Sequence, residues 1–153
     1  MTYKTDFSIY KKLKTLRLIA IIFTSLSLAS CANQQSTTLY EQLGGMEKLE
    51  LIANNFVNEI AFNEEIYRYF EETNIERFTE KLVEQLCVMS NGPCTYTGDS
   101  MAQVHAGMQI TENHFNLTVD LFVAAMDKAE VPHRLQNQLL KEMAKTRDEM
   151  IYR

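Results

Sequence analysis

The sequence predicts an all-α domain with four main helices, on three observations. Apolar residues step by three and four in four separate stretches. No stretch alternates at period two for long enough to make a strand. Turn-forming clusters fall between the stretches, at Gly44-Gly45, Thr73-Asn74, Asn91-Gly92-Pro93 and Gly98-Asp99. The first stripe is Leu49, Ile52, Phe56 and Ile60, and the second is Ile75, Phe78, Leu82 and Leu86. Phe115, Val119, Phe122 and Met126 make the third. Leu135, Leu139, Met143 and Met150 make the fourth, with one turn skipped. Thr111 is placed to cap the third helix, and Pro132 suits the first turn of the fourth. Between the second and third helices, Asn91 to Ile110 is long and Gly-interrupted, with only a short helix expected over Ser100 to Ala106. In a domain this small, an irregular segment of that length usually has a function or covers something.

The 153 residues are 46% hydrophobic and 23% charged, which suits one globular domain and excludes disordered and collagen-like classes. The formal charge of −5 is unevenly spread. Residues 1–30 hold five basic side chains (Lys4, Lys11, Lys12, Lys14, Arg17) and one acid, Asp6, while the remaining 123 residues carry a net −9. A body that acidic, with no Lys/Arg cluster, cannot build the positive footprint that phosphate backbones require, so nucleic acid is excluded as a partner.

The basic start runs into an uncharged apolar stretch, Leu18 to Leu28. Eleven residues make about 16 Å of helix, well short of a bilayer core of about 30 Å. A charged start, an apolar run and then small residues is the layout of a secretory signal. The run ends Leu28-Ala29-Ser30-Cys31, which resembles the lipobox of bacterial lipoprotein signal peptides. The resemblance implies cleavage before Cys31 and diacylation of its sulfur. The chain then divides into a lipoprotein-type signal peptide (1–30), a polar tether (31–38) and the helical domain (39–153). An uncleaved N-terminal anchor is the alternative. Both readings hang the domain on a membrane, facing the periplasm or cell exterior, and two acyl chains would make the attachment stable.

Nothing supports hydrolytic catalysis. His105, His114 and His133 show no HExxH spacing, and no Gly-x-Ser-x-Gly elbow or Gly-rich phosphate loop occurs. The acids are scattered over helix faces, as on a solvated surface. His133, beside Pro132 in a first helical turn, receives no role. His105 sits in the run Tyr96 to Ile110, with Met101, Val104, Met108 and then Phe115 nearby. A lone His among apolar residues is more often a core side chain than a ligand.

An ordered set of motifs surrounds that histidine. It opens at Leu39-Tyr40-Glu41-Gln42-Leu43-Gly44-Gly45 and continues through Phe56, Phe70, the Gly92-Pro93 bend and Tyr96-Thr97-Gly98. Met101-x-x-x-His105-x-Gly107-x-x-Ile110, His114-Phe115 and Val131-Pro132 complete it. In this order and spacing the set resembles the group I truncated haemoglobins, from residue 39 to about 151. The resemblance implies a truncated globin, a two-on-two helical sandwich, with haem b as cofactor and His105 as the iron ligand. Ferrous haem needs a neutral imidazole and a dry apolar slot. Phe70, Phe78, Leu82 and Leu86 would line its distal side. Met101, Val104, Met108, Ile110, Phe115 and Val119 would lie on or near the proximal side; plain core packing is the other reading of these residues. Lys81 matches a family lysine that reaches a haem propionate, and is equally a solvated surface lysine by its residue pattern. Tyr96 matches a position near the haem edge.

The distal side departs from the family. Where the common pattern has Phe-Tyr in the second helix, this chain has Phe56-Val57. Where the next helix often carries Leu and then Gln, this chain has Phe78 and Leu82. Val57, Phe78 and Leu82 offer no hydrogen-bond donor, and Gln85 is the nearest polar candidate.

With Cys31 acylated, Cys87 and Cys94 remain, and outside the cytoplasm an even pair suggests a disulfide. In one continuous helix their Cα atoms would stand about 10 Å apart, too far to bridge. The Asn91-Gly92-Pro93 break lets the chain fold back; a buried free Cys87 with an exposed Cys94 is the alternative.

The resulting expectation is a membrane-tethered haem globin that reversibly binds a diatomic gas (O₂, NO or CO), with a reductase as the partner such a protein implies. The rival readings are a haem-dependent redox enzyme (NO dioxygenation or peroxide reduction) and a haem-free helical interaction module. Nothing at the distal positions serves as a peroxidase acid or base.

Overall fold

A computed structural model describes residues 37–153. The expected signal segment and Cys31 lie outside the described residues. The element order is α1 (Leu39–Leu43), α2 (Gly45–Ala61), α3 (Glu64–Tyr67), α4 (Ile75–Met89), α5 (Met101–Val104), α6 (Glu112–Lys128) and α7 (His133–Met143), then a 3₁₀ turn, Ala144–Glu149. Among the described residues there is no strand, only an isolated bridge between Ile110 and Ile151. The fold is all-α, as expected.

Helix starts follow local chemistry. Thr38 and Glu41 form a capping box on α1, so two otherwise orphaned N–H groups are satisfied reciprocally. Asn63 caps α3, and Asn74 caps α4 through its side chain on the Arg77 N–H, 2.9 Å away. Thr111 caps α6, as its position predicts. Pro132 stands one residue before α7, as its N-cap. The fourth expected helix is shorter than its stripe: α7 ends at Met143 and the backbone tightens into the 3₁₀ turn, leaving Met150 beyond both.

The stripes meet in one core. α2 packs on α4 and on α6, and α4 packs on α7, giving the two-on-two sandwich. Leu49, Ile52, Leu86, Phe122, Met126 and Leu139 are fully buried. Phe56 and Phe122 meet edge to face at 5.2 Å between ring centroids. Each such side chain contributes about 1.5–3 kcal/mol by leaving water, so this core carries the domain. The buried Gln136 donates to Asp127 Oδ1 (2.6 Å) and to the Val131 carbonyl (2.9 Å), so its amide is satisfied where α6 turns into α7.

Candidate functional site

His105 is the C-cap of α5, a helix of four residues with no buried side chain of its own. Ser100 and Gln103 make a capping box at its start. Gly107, at φ +81°, turns the chain after the histidine, and a Cβ there would meet nothing within 4 Å. The glycine is therefore required by backbone conformation and not by space. Beyond it, the Gln109 N–H donates to the Arg153 carbonyl and the Tyr152 N–H to the Ile110 carbonyl, both at 2.9 Å.

The imidazole is half-buried, and its Nδ1 lies 2.8 Å from the Met101 carbonyl oxygen. A carbonyl only accepts, so the proton sits on Nδ1 and Nε2 keeps its lone pair. Burial pulls the His105 pKa below 6.5, against a smaller upward pull from the Met101 carbonyl. The ring is thus neutral at neutral pH, with a donor-ready Nε2 that has no partner among the described residues. His114 differs: Tyr69 OH meets its Nδ1 at 2.7 Å and an Arg68 nitrogen meets its Nε2 at 3.0 Å. His133 is exposed. Among the described residues no group of three His, Cys, Asp or Glu could hold a bare metal ion. The site therefore offers one imidazole nitrogen, which suits a metal whose other donors come with it.

A cavity of about 80 Å³ lies where α2, α3 and α4 meet, lined by Val57, Ile60, Ala61, Tyr67, Phe70, Ile75 and Phe78. Phe70 and Phe78, both in its lining, pack edge to face with ring centroids 5.0 Å apart. Three of the positions singled out above, Val57, Phe70 and Phe78, thus share one wall. Leu82 and Leu86 belong to the buried core behind it. Tyr67 supplies the only hydroxyl in the lining, a residue that the sequence reading missed. The signal was present: Asn63 followed by Glu64-Glu65 is a helix start, and one turn on it brings Tyr67 to the cavity. Gln85 does not line the cavity; its Nε2 lies 3.1 Å from Met101 Sδ, on the side of His105.

The remaining positions make contacts of their own. Val104 is exposed, whereas Met108 and Ile110 are half-buried. The Phe115 ring lies beneath the Arg147 guanidinium at 5.6 Å. Lys81 Nζ reaches Glu80 (2.7 Å), Glu84 (2.8 Å) and Thr97 Oγ1 (2.7 Å). Glu84 also accepts from the Thr97 N–H at 2.8 Å. The Lys81 and Thr97 hydrogen bonds hold the Glu84 carboxyl down at about 2, while Glu80 and then Glu84 raise the Lys81 pKa. Tyr96 donates to the Asp99 carbonyl (2.8 Å), and burial, then the Asp99 charge, raises its phenol. Cys87 and Cys94 are joined by a disulfide, with Cα atoms 5.9 Å apart.

The family described as bacterial-like globin matches residues 38–152. The group 1 truncated hemoglobin GlbN of Mycolicibacterium paratuberculosis is 33% identical over 117 residues, covering 76% of this chain and 86% of the relative. The group 1 truncated hemoglobin of Tetrahymena pyriformis is 25% identical over 114 residues, 74% of this chain and 94% of its own. The crystal structure of that Tetrahymena protein in its Fe(III) form superimposes with a TM-score of 0.73, covering 76% of this chain and all of the other. The 2/2 hemoglobin from a Synechococcus species, at 20% identity and a TM-score of 0.70, shares the fold.

Proposed function

The chain belongs to the bacterial-like globin family, as a group 1 truncated haemoglobin that binds haem, and from that premise we propose that His105 holds the iron and that the protein reversibly binds a diatomic gas. One observation carries the assignment: His105 donates Nδ1–H to its own helix and keeps a neutral Nε2 without a partner among the described residues. The Met101 carbonyl thereby sets the tautomer and the ring orientation, the usual task of a second partner to a metal-bound imidazole. The residues fit the group in kind, since one neutral nitrogen and an apolar wall are what haem asks of a protein.

When bound, haem supplies an iron with an open position for O₂, NO or CO. The chain's own residues do the rest. Val57, Phe70 and Phe78 exclude water from the gas-binding face and leave room for a small apolar molecule. They present no donor that would favour a polar ligand, and no acid or base for peroxide cleavage. We also propose the tether: Cys31 acylated, and the domain held outside the cytoplasm. The Cys87–Cys94 bond supports that setting, because such bonds persist in oxidising compartments.

The test is an absorption spectrum of the purified chain, with and without dithionite. A Soret band that disappears in His105→Ala is expected. A band of equal intensity in that variant would overturn the assignment. For the tether, Cys31→Ser should release the protein from membranes or block its processing; unchanged retention and processed mass would refute it.

A further inference from the structure

Between Asn91 and Ser100 the chain runs back along α4 and is bonded to it at successive turns. The Gly92 N–H donates to the Cys87 carbonyl at 2.7 Å. That closeness requires glycine, since a Cβ at residue 92 would stand 2.5 Å from Cys87 Sγ and 2.6 Å from Tyr40 Cδ2. Two residues on, Cys94 is bonded to Cys87 itself. Thr97 is then clasped by Glu84, through its N–H (2.8 Å) and its hydroxyl (2.9 Å), and by Lys81 (2.7 Å). Finally Gln85 holds the Met101 thioether, and the Met101 carbonyl receives His105 Nδ1. As the segment advances from 92 to 97 its partners recede along α4 from 87 to 81. The segment is laced antiparallel onto the helix.

We infer that this laced segment is a strap that sets the position of His105, with Cys87, Cys94, Glu84 and Thr97 as positioning residues, and that opening the disulfide with an external dithiol loosens the protein's hold on haem. The inference rests on His105 being the iron ligand. α5 has four residues and buries none of them, so neither its own helix formation nor the core fixes it. Its place is set by the strap before it, by the 3₁₀ turn that packs against it, and by the bonds of Gln109 and Ile110 to residues 152–153 after it. Reduction acts on the first of these. Cys94 is half-buried whereas Cys87 is fully buried, so Cys94 is the sulfur a reagent reaches first. A thiolate of the dithiol attacks Cys94 Sγ, and Cys87 leaves and takes a proton. The second thiol of the reagent then closes on the mixed disulfide and frees Cys94 as a thiol. Two electrons and two protons pass to the protein, and the dithiol departs as its cyclic disulfide.

The experiment uses the full chain loaded with haem, Cys87→Ser/Cys94→Ser beside the wild type, and measures haem transfer to excess apomyoglobin. In parallel, amide hydrogen exchange of residues 101–105 is followed in haem-free protein, with and without dithiothreitol. The double variant should lose haem about tenfold faster, and dithiothreitol should speed wild-type exchange over 101–105 by about as much, the factor expected from losing 1.4 kcal/mol of the constraint. Thr97→Val, which keeps the disulfide, should give a smaller increase in both. Unchanged transfer and unchanged exchange in folded double variant would overturn the strap. If the double variant does not fold, the dithiothreitol and Thr97→Val arms decide. A wild type that takes up no haem would instead refute the His105 assignment, and the exchange arm alone would still show whether the strap positions residues 101–105.

Discussion

The two faces of the proposed haem site are built by different physics. Around His105 the structure is held by directional bonds: a capping box, a disulfide, the Glu84–Thr97–Lys81 clasp and the Nδ1 bond to Met101. Around the cavity it is held by hydrocarbon, and Tyr67 alone brings a hydroxyl. Directional bonds specify where one atom sits, as a metal ligand requires. Apolar packing specifies a volume and leaves its contents undirected, as suits a small gas. Position is thus set on the His105 side, and polarity is left open on the other.

The contrast breaks most completely at the histidine. His105→Gly should abolish the Soret band, and millimolar imidazole should restore it in titrations, because the rest of the pocket survives. Failure of imidazole to restore haem binding would mean that the ring also holds the fold together. Next in size is the wall behind the cavity. Leu86 is fully buried, so Leu86→Ala should cost about 2–5 kcal/mol in urea unfolding. A loss under 1 kcal/mol would show that this region collapses to fill the space.

A donor introduced among the apolar residues sharpens the comparison further. A hydrogen bond to a polarised ligand is worth about 1.5–3 kcal/mol, so Val57→Tyr should slow O₂ release roughly ten- to a hundredfold in stopped-flow measurements. CO release should hardly change, because that ligand is less polar. A slow wild-type rate untouched by the substitution would mean that a donor already serves the ligand, and Tyr67→Phe would then identify it.

The smallest effect belongs to the clasp. Glu84 ionises at about 2 in the folded chain, below its ordinary 4.5. Between those values the unfolded chain binds more protons, so Glu84 stabilises the fold above about pH 4.5 and that contribution fades as pH falls toward 2. Thermal melts of Glu84→Gln should lack this part of the wild type's acid sensitivity. Parallel curves for the two proteins over pH 2–4.5 would show that the clasp adds nothing.

How much of this was legible beforehand divides along the same line. The four stripes marked the helices because burial imposes a period on the sequence, and the core follows from them. Position 57 could be read as lacking a donor by inspection, since a valine has none wherever it points. Directional partners were harder. By position Gln85 is either the nearest polar group to the gas-binding face or a side chain pointing to solvent; it reaches Met101 instead, and no periodicity announces that choice. Lys81 matched a lysine that reaches a haem propionate, while the clasp it forms with Thr97 depends on a loop course that the sequence does not spell out. Tyr67 went unread because α3 spans only four residues, too few to show a stripe. Met150 failed for a related reason: its spacing continued the pattern, but the backbone had already changed to a 3₁₀ turn.

The pairing of residues 109–110 with 152–153 bears on how the protein can be engineered. A peptide fused after Arg153, or trimming of the last residues, acts next to the turn that follows His105, even though it looks harmless in the linear sequence. Purification handles and fluorescent partners placed there would perturb the very spectrum used to judge the protein.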